Sequence, residues 1–221
     1  MTTSVQSPAA RDAILDAAER LFAKQGFAAT TIKQIGAEAG LNSALLYYYF
    51  SDKEALYHAV LARLISGLAA EGVRLMREVP DPASAIRALV TGQVEMLLAR
   101  PQLPQLMVRE LVDHQAMHAQ GLITEHMAGL FSAVCETIRA GQRAGTFRVG
   151  LEPRYAAVST ISQVVYFFVA RPAVGLLMGT GKPGPLPDDT MREFGRHAAE
   201  FALAALMAPA GGDPRREAHS S

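Results

Sequence analysis

The chain alternates apolar and polar positions with helical period almost from end to end, and the period of two that marks strands is nearly absent. In RDAILDAAERLFAKQG, Ile14, Ala18, Leu21 and Phe22 fall on one face, and Gly26 supplies a stop. TTIKQIGAEAG begins with hydroxyls suited to N-capping, sets Ile32 and Ile35 three apart, and ends at Gly40. Asn42 is placed to cap a short third helix, Ser43 to Tyr49, and Ser51 or Asp52 to cap a fourth that runs until Pro80. Longer helices follow. One opens with Asp81 as cap and Pro82 at its first position, and a second lies between Pro104 and His118. A third spans roughly Gln120 to Ala144, a fourth runs from Pro153 to the break at Pro172, and a last one covers about Asp189 to Met207. GTGKPGPLPDD reads as a loop, and the end from 209 to 221 as a disordered tail. The pattern predicts an all-α chain with three short helices in residues 8–52 and a larger helical domain over 53–208.

Half of the 221 residues are hydrophobic, so a sizeable core is expected. Lys+Arg and Asp+Glu are equal at 21 each, which gives no global electrostatic signature of a nucleic-acid binder. Locally, Lys24 to Phe50 holds two lysines and one acid, while Asp12, Asp16 and Glu19 cluster before it. Cys135 is the only cysteine, which rules out an intrachain disulfide and suits a reducing compartment. The first residues lack the pattern of a secretory signal. The most apolar run, Tyr155 to Ala170, is shorter than the ~20 residues a membrane span needs. A cytoplasmic protein with no membrane partner is the expectation.

The segment LNSALLYYYF sets three tyrosines and a phenylalanine side by side. On a helix, consecutive side chains diverge by about 100°, so the phenols fan too widely to be buried together. Helix two, the turn Gly40-Leu41-Asn42 and a short helix three have the proportions of a helix-turn-helix. Ile32, Ile35, Leu46, Tyr49 and Phe50 are assigned with Ile14, Leu21 and Phe22 to the inner face. Tyr47 and Tyr48 are left outward, where a phenol can donate to a phosphate and its ring can lie on a thymine methyl. Asn42, Ser43 and Ala44 are small enough to approach base edges. Lys53, at the start of the fourth helix, is expected to share one phosphate with that helix terminus. Of Thr30 and Thr31, one hydroxyl is expected to cap the helix and the other to meet the DNA backbone.

A Gly-aromatic pair, a Thr-rich start of helix two, an Ala-Gly turn and Leu-Tyr-x-x-Phe followed by x-x-Lys-Glu all occur between Gly26 and Glu54. Over about residues 10–57 the chain closely resembles the DNA-binding domain of the tetracycline-repressor (TetR/AcrR) family of bacterial one-component regulators. The resemblance implies that Thr31, Tyr47 and Lys53 hold phosphates. It places Lys33, Ser43, Ala44, Leu45 and Tyr48 at or near base edges and leaves Tyr49 between DNA contact and packing. It further implies a homodimer through the last two long helices, a double-stranded DNA operator as partner, and a small apolar or aromatic effector. GQVEMLLARPQLPQLMVREL and GQRAGTFRVGLEPRYAAVSTISQVVYFF look faintly like the CecR-type subgroup. The implied function is a ligand-responsive transcriptional regulator, expected to repress. The alternative is a helical ligand-binding or dimeric interaction module without DNA binding.

For the effector, Met96, Met107, Met127 and Phe131 are candidates, because flexible methionines suit pockets that accept varied apolar compounds. Gln163 and Tyr166, with Ser159, form a polar stripe that fits either a dimer interface or a pocket lining. Cys135, among Phe131, Val134 and Ile138, reads as a small core residue. Glu110, His114 and His118 recur every four residues, which is metal-ligand spacing in principle. With no cysteine nearby they are read as a solvated polar face, and no metal or cofactor is assigned. Enzyme signatures fail. The phosphate-loop pattern around Lys182 is incomplete, and no His-Glu-x-x-His, Glu-x-x-His or Gly-x-Ser-x-Gly occurs.

Overall fold

The computed structural model describes residues 8–179 and 186–208, and among these the protein is helical without a strand. The anticipated tail and most of the Gly/Pro loop lie outside the described residues. Packing divides the chain into two units. The first takes the described residues up to 70 together with 96–128; the second takes 71–95 and the rest from 129. The chain therefore does not partition at 52/53 by packing, because the first part of the fourth helix and a later helix group with the head.

In the first unit, α1 (Pro8–Ala29) is interrupted at Gly26, whose φ of 83° an L side chain adopts only under strain. α2 (Ile32–Ala39) and α3 (Ser43–Tyr49) follow, and then α4 (Lys53–Arg77), whose first part belongs here. Ile14, Phe22, Ile35, Leu46, Phe50, Leu56 and Tyr57 are buried together, so the head closes its core on α4. Ile32, Leu21 and Tyr49, also assigned inward, are half-buried. Arg63 of α4 pairs at 2.7 Å with both Asp16 and Glu19, which explains the acidic cluster on α1.

α6 (Gln102–His114) packs on α1 in the same unit. Arg109 donates to the carbonyls of Ala23 (3.1 Å) and Lys24 (3.2 Å), setting a cation at the C-terminal end of α1 as its dipole favours. The anticipated long helix from Gln120 is broken differently. A short α7 (Gln120–Leu122) leads into a π-helical turn, Ile123–Met127, before α8 (Ala128–Arg143). Side-chain period alone does not distinguish a π turn from an α turn over five residues.

The second unit contains most of α5 (Pro82–Ala99) with α8, α9 (Pro153–Val169), α10 (Arg171–Leu177) and α11 (Asp188–Leu206). Phe167 of α9 stacks on Phe194 of α11 at 3.6 Å between centroids. Cys135 is buried, which pushes its thiol up and fits a core role. No single helix among the described residues is long and apolar enough to cross a membrane.

Candidate nucleic-acid interface and effector cavity

The helix-turn-helix is fixed by its own backbone. Thr31 caps α2 in a reciprocal box: its hydroxyl accepts from Gln34 N at 3.2 Å, and Gln34 Oε1 accepts from Thr31 N at 2.9 Å. At the other end Gly40 is left-handed (φ 68°), and Leu41 N donates to Gly36 O at 2.8 Å. The turn presses so closely on α2 that a Cβ on Gly36 would lie 2.8 Å from the Leu41 carbonyl oxygen. Gly36 is a structural requirement that the sequence reading passed over. A glycine followed by the Ala-Glu-Ala-Gly end of a short helix was the available signal.

α3 then projects from a closed turn. Asn42 caps it, its Oδ1 accepting from Leu45 N at 2.9 Å, which occupies that oxygen in holding the helix. Tyr47 and Tyr48 are 56% and 61% exposed, while Leu46 and Phe50 on either side are buried. Tyr49 is half-buried, with its ring edge-on to Tyr48 at 5.2 Å. Lys33 and Ala44 are exposed, and Ser43 and Leu45 are half-buried. Ala44 and the two phenols of α3 are thus solvent-facing, as is Lys33 on α2.

Lys53 and the two threonines all have intrachain partners. Lys53 does not stand free at the start of α4. Its ammonium donates to Phe27 O (2.9 Å) and Thr30 O (3.0 Å) and lies 4.3 Å from the centre of the Phe27 ring. The N-terminus of α4 is already capped by Asp52, whose Oδ1 accepts from Ala55 N at 2.7 Å. That backbone bond and the Ser51 hydroxyl hold the Asp52 carboxyl below its usual range. Without DNA, Lys53 thus ties the end of α1 and Thr30 to the start of α4. Likewise neither threonine hydroxyl is spare. Thr30, fully buried, donates to Gly26 O at 2.7 Å, and Thr31 is engaged with Gln34.

Within the first unit, α4, α6 and the π turn enclose a cavity of ≈ 90 Å³. Leu61, Leu64 and Leu68 form one wall, Leu103, Leu106 and Met107 another, and Ile123 and Met127 the π-helical side. Glu110 is its only ionisable lining residue. Of the effector candidates, Met107 and Met127 reach this cavity. Met96 and Phe131 are half-buried outside its lining. Gln163 donates to Ser159 O of its own helix, and Tyr166 is 67% exposed on α9. Neither lines this cavity, and a polar stripe in an apolar helix marks an outer face as readily as a pocket. The α4 leucines carried no distinguishing signal, since apolar positions on a long helix read first as core.

The solvated reading of Glu110, His114 and His118 is also overturned. Glu110 is 3% exposed, and its carboxylate accepts from Tyr57 OH (3.0 Å), His118 N (2.8 Å) and Ala119 N (3.1 Å). The periodicity was misleading because α6 ends at His114, and the chain reverses before reaching His118.

The arrangement of a capped helix-turn-helix before a larger helical region recurs in known proteins. The family model described as bacterial regulatory proteins, tetR family, matches residues 14–60. A second, described as tetracyclin repressor-like, C-terminal domain, matches residues 82–194 and leaves the CecR-type likeness a resemblance only. The HTH-type transcriptional repressor NicS of Pseudomonas putida is 30% identical over 167 residues, 74% of this chain and 77% of that protein. The HTH-type transcriptional repressor KstR2 of Rhodococcus jostii is 28% identical over 149 residues, 66% of this chain and 72% of that protein. Among solved structures, the transcriptional regulator FadR of Bacillus subtilis, in complex with stearoyl-CoA, superposes with a TM-score of 0.70. That match covers 88% of this chain and 98% of the other at 15% identity, a likeness of fold.

Proposed function

The chain belongs to the tetR family of bacterial regulatory proteins, and from that membership we propose that it is a ligand-responsive transcriptional repressor. It binds a pseudo-palindromic operator as a homodimer, with residues 8–52 reading DNA and 53–208 serving effector binding and dimerisation. The observation that carries the reading is the exposure of Ala44, Tyr47 and Tyr48 on α3, which follows a turn closed by the Leu41 N to Gly36 O bond. Tyr47 and Tyr48 contact the DNA backbone and thymine methyls, and Ser43 and Ala44 approach base edges. Repression rather than activation is supported by NicS and KstR2, both named repressors. The protein acts in the cytoplasm, where bacterial DNA lies.

The effector is a small apolar or aromatic molecule held between α4, α6 and the π turn, supported by the hydrocarbon lining of that cavity. At ≈ 90 Å³ the space is well under the ~300 Å³ at which ligand pockets begin, so binding must widen it. Met107, Met127 and the π turn supply adaptable walls. Widening displaces α6, and α6 carries Arg109 into the end of α1. The effector releases DNA to the extent that it prefers the widened state; a coupling of ~1–3 kcal/mol loosens the operator roughly 5–150-fold.

Dimerisation through α9 and α11 is supported by an outward apolar stripe. Tyr155, Val158, Tyr166 and Val169 are exposed along α9, and Phe201 on α11. Spacings of three, eight and three keep the α9 residues near one face. A gel-shift with DNA flanking the protein's own gene tests the reading. A retarded band at low salt that a small apolar compound abolishes is the expected result. No band at any concentration would favour the module without DNA binding.

A further inference from the structure

Behind the head, a cluster of one carboxylate and two imidazoles is unused by the reading above. We infer that Glu110, His114 and His118 form a binding site for one divalent transition-metal ion of the zinc class. The site goes beyond the proposed repressor function and stands whether or not the head binds DNA.

The three side chains each offer a ligand atom, and these atoms all lie within 4.8 Å of one another. Their meeting is built by the backbone. α6 ends at His114, and Gln115 and Ala116 both take left-handed conformations, with φ of 52° and 61°. They are the only non-glycine residues with positive φ among the described residues. Two consecutive residues held there are uncommon, and such strain concentrates at functional sites. The reversal swings His118 back over α6. It also directs the N–H groups of His118 and Ala119 onto Glu110 Oε1, at 2.8 and 3.1 Å.

Glu110 is thereby fixed with its second oxygen, Oε2, toward His118 Nδ1 at 3.3 Å. Zinc bonds of about 2.0 Å to oxygen and 2.1 Å to nitrogen, at a tetrahedral angle, set neighbouring ligand atoms about 3.3 Å apart. The pair is already at that spacing. His114, its ring 4.7 Å from that of His118 and edge-on to it, offers the third ligand atom within 4.8 Å of the other two. Tyr57 OH donates to Oε2 at 3.0 Å, the kind of outer hydrogen bond that orients a ligating carboxylate. Two imidazoles and one carboxylate suit zinc, cobalt, nickel or ferrous iron rather than calcium or magnesium, and a fourth position is left for water.

The placement gives the ion leverage. Phe27, at the end of α1, lies with its ring 5.9 Å from His114 and 5.6 Å from His118. Glu110 also lines the apolar cavity. A bound cation would lock the end of α6 and the reversal against α4 through Tyr57.

The test uses the full-length protein stripped of metal by chelator dialysis, with Zn²⁺ alone titrated against a chromophoric competitor at pH 7.5. Cobalt is used in parallel for its visible absorption. One zinc per chain is expected, with affinity falling at least about 10-fold in both His114→Ala and His118→Ala. The cobalt band should appear in the wild type and vanish in both variants. His114 is only half-buried, so its variant keeps the fold, checked by circular dichroism. Glu110→Gln is added where its circular dichroism matches the wild type. No saturable binding below ~100 µM would overturn the site and leave a metal-free hydrogen-bond network. Binding retained within about threefold in either histidine variant would also overturn it, by placing the ion elsewhere.

Discussion

Substituting Gly36 by alanine tests how the recognition helix is held. An added Cβ would lie 2.8 Å from the carbonyl oxygen of Leu41, a backbone atom of the turn. That distance is well inside the 3.4–4 Å of ordinary contact, so the turn must move. The same turn is pinned by Leu41 N donating to Gly36 O at 2.8 Å, so relief of the clash strains or breaks this bond. Overpacking of this sort costs about 1–3 kcal/mol and the lost bond about 1 kcal/mol. Alanine's better helix propensity returns up to about 1 kcal/mol, leaving a net loss of roughly 1–3 kcal/mol. Urea unfolding followed by circular dichroism reads this directly. Because the displacement falls between α2 and α3, operator affinity should fall further than stability alone predicts, by at least about 10-fold under conditions where the variant is fully folded. Gly40→Ala is the comparison: no atom lies within 4 Å of its added Cβ, so only the positive φ is charged, at about 1 kcal/mol. A Gly36→Ala protein as stable as the wild type, with unchanged operator affinity, would refute the reasoning.

Three further outcomes follow from the contacts. Tyr57→Phe leaves the buried Glu110 carboxylate without one donor and should cost about 1.5–3 kcal/mol in urea unfolding at pH 7. Burial, and then the charge and hydrogen bond of Glu110, push the Tyr57 phenol well above its ordinary value. Its contribution is therefore full below about pH 10, where the unfolded phenol ionises, and is lost as pH rises further. Tyr57→Phe should flatten that alkaline loss. Arg109→Met removes two donors from the end of α1; the guanidinium is over a third exposed, so about 1 kcal/mol is expected, together with weaker effector-induced release. Val158→Glu places a charge in the outward stripe of α9 and should shift the protein from dimer to monomer in sedimentation velocity with little change in helicity.

The helical architecture was legible because period, caps and breakers agreed: Asn42 caps α3, and Gly40 ends α2 as expected. The division of the tyrosines was legible too, since a fan of about 200° has to leave some phenols outside. Lys53 was not, because a lysine at a helix start reads alike whether its ammonium faces solvent or the carbonyls of a distant helix end. The lining of the cavity between α4, α6 and the π turn was half legible. Met107 and Met127 stood out by residue type, whereas Leu61, Leu64 and Leu68 look like any buried helical stripe. Glu110 was misread because helical spacing was extended through Gln115 and Ala116, where two left-handed residues reverse the chain. Neither residue announces that conformation, as a glycine would.

The central claim is that the surface bearing Tyr47 and Tyr48 binds DNA as part of a dimer. Fluorescence anisotropy with a labelled duplex from the DNA flanking the gene measures it most directly. The account predicts saturation at two chains per duplex and affinity that falls steadily with added salt, as phosphate contacts require. It also predicts a uniform loss across duplex sequences for Tyr47→Phe, against a changed sequence preference for Ser43 or Ala44 variants. An anisotropy that stays flat at low salt, or binding unaffected by all of these substitutions, would contradict it.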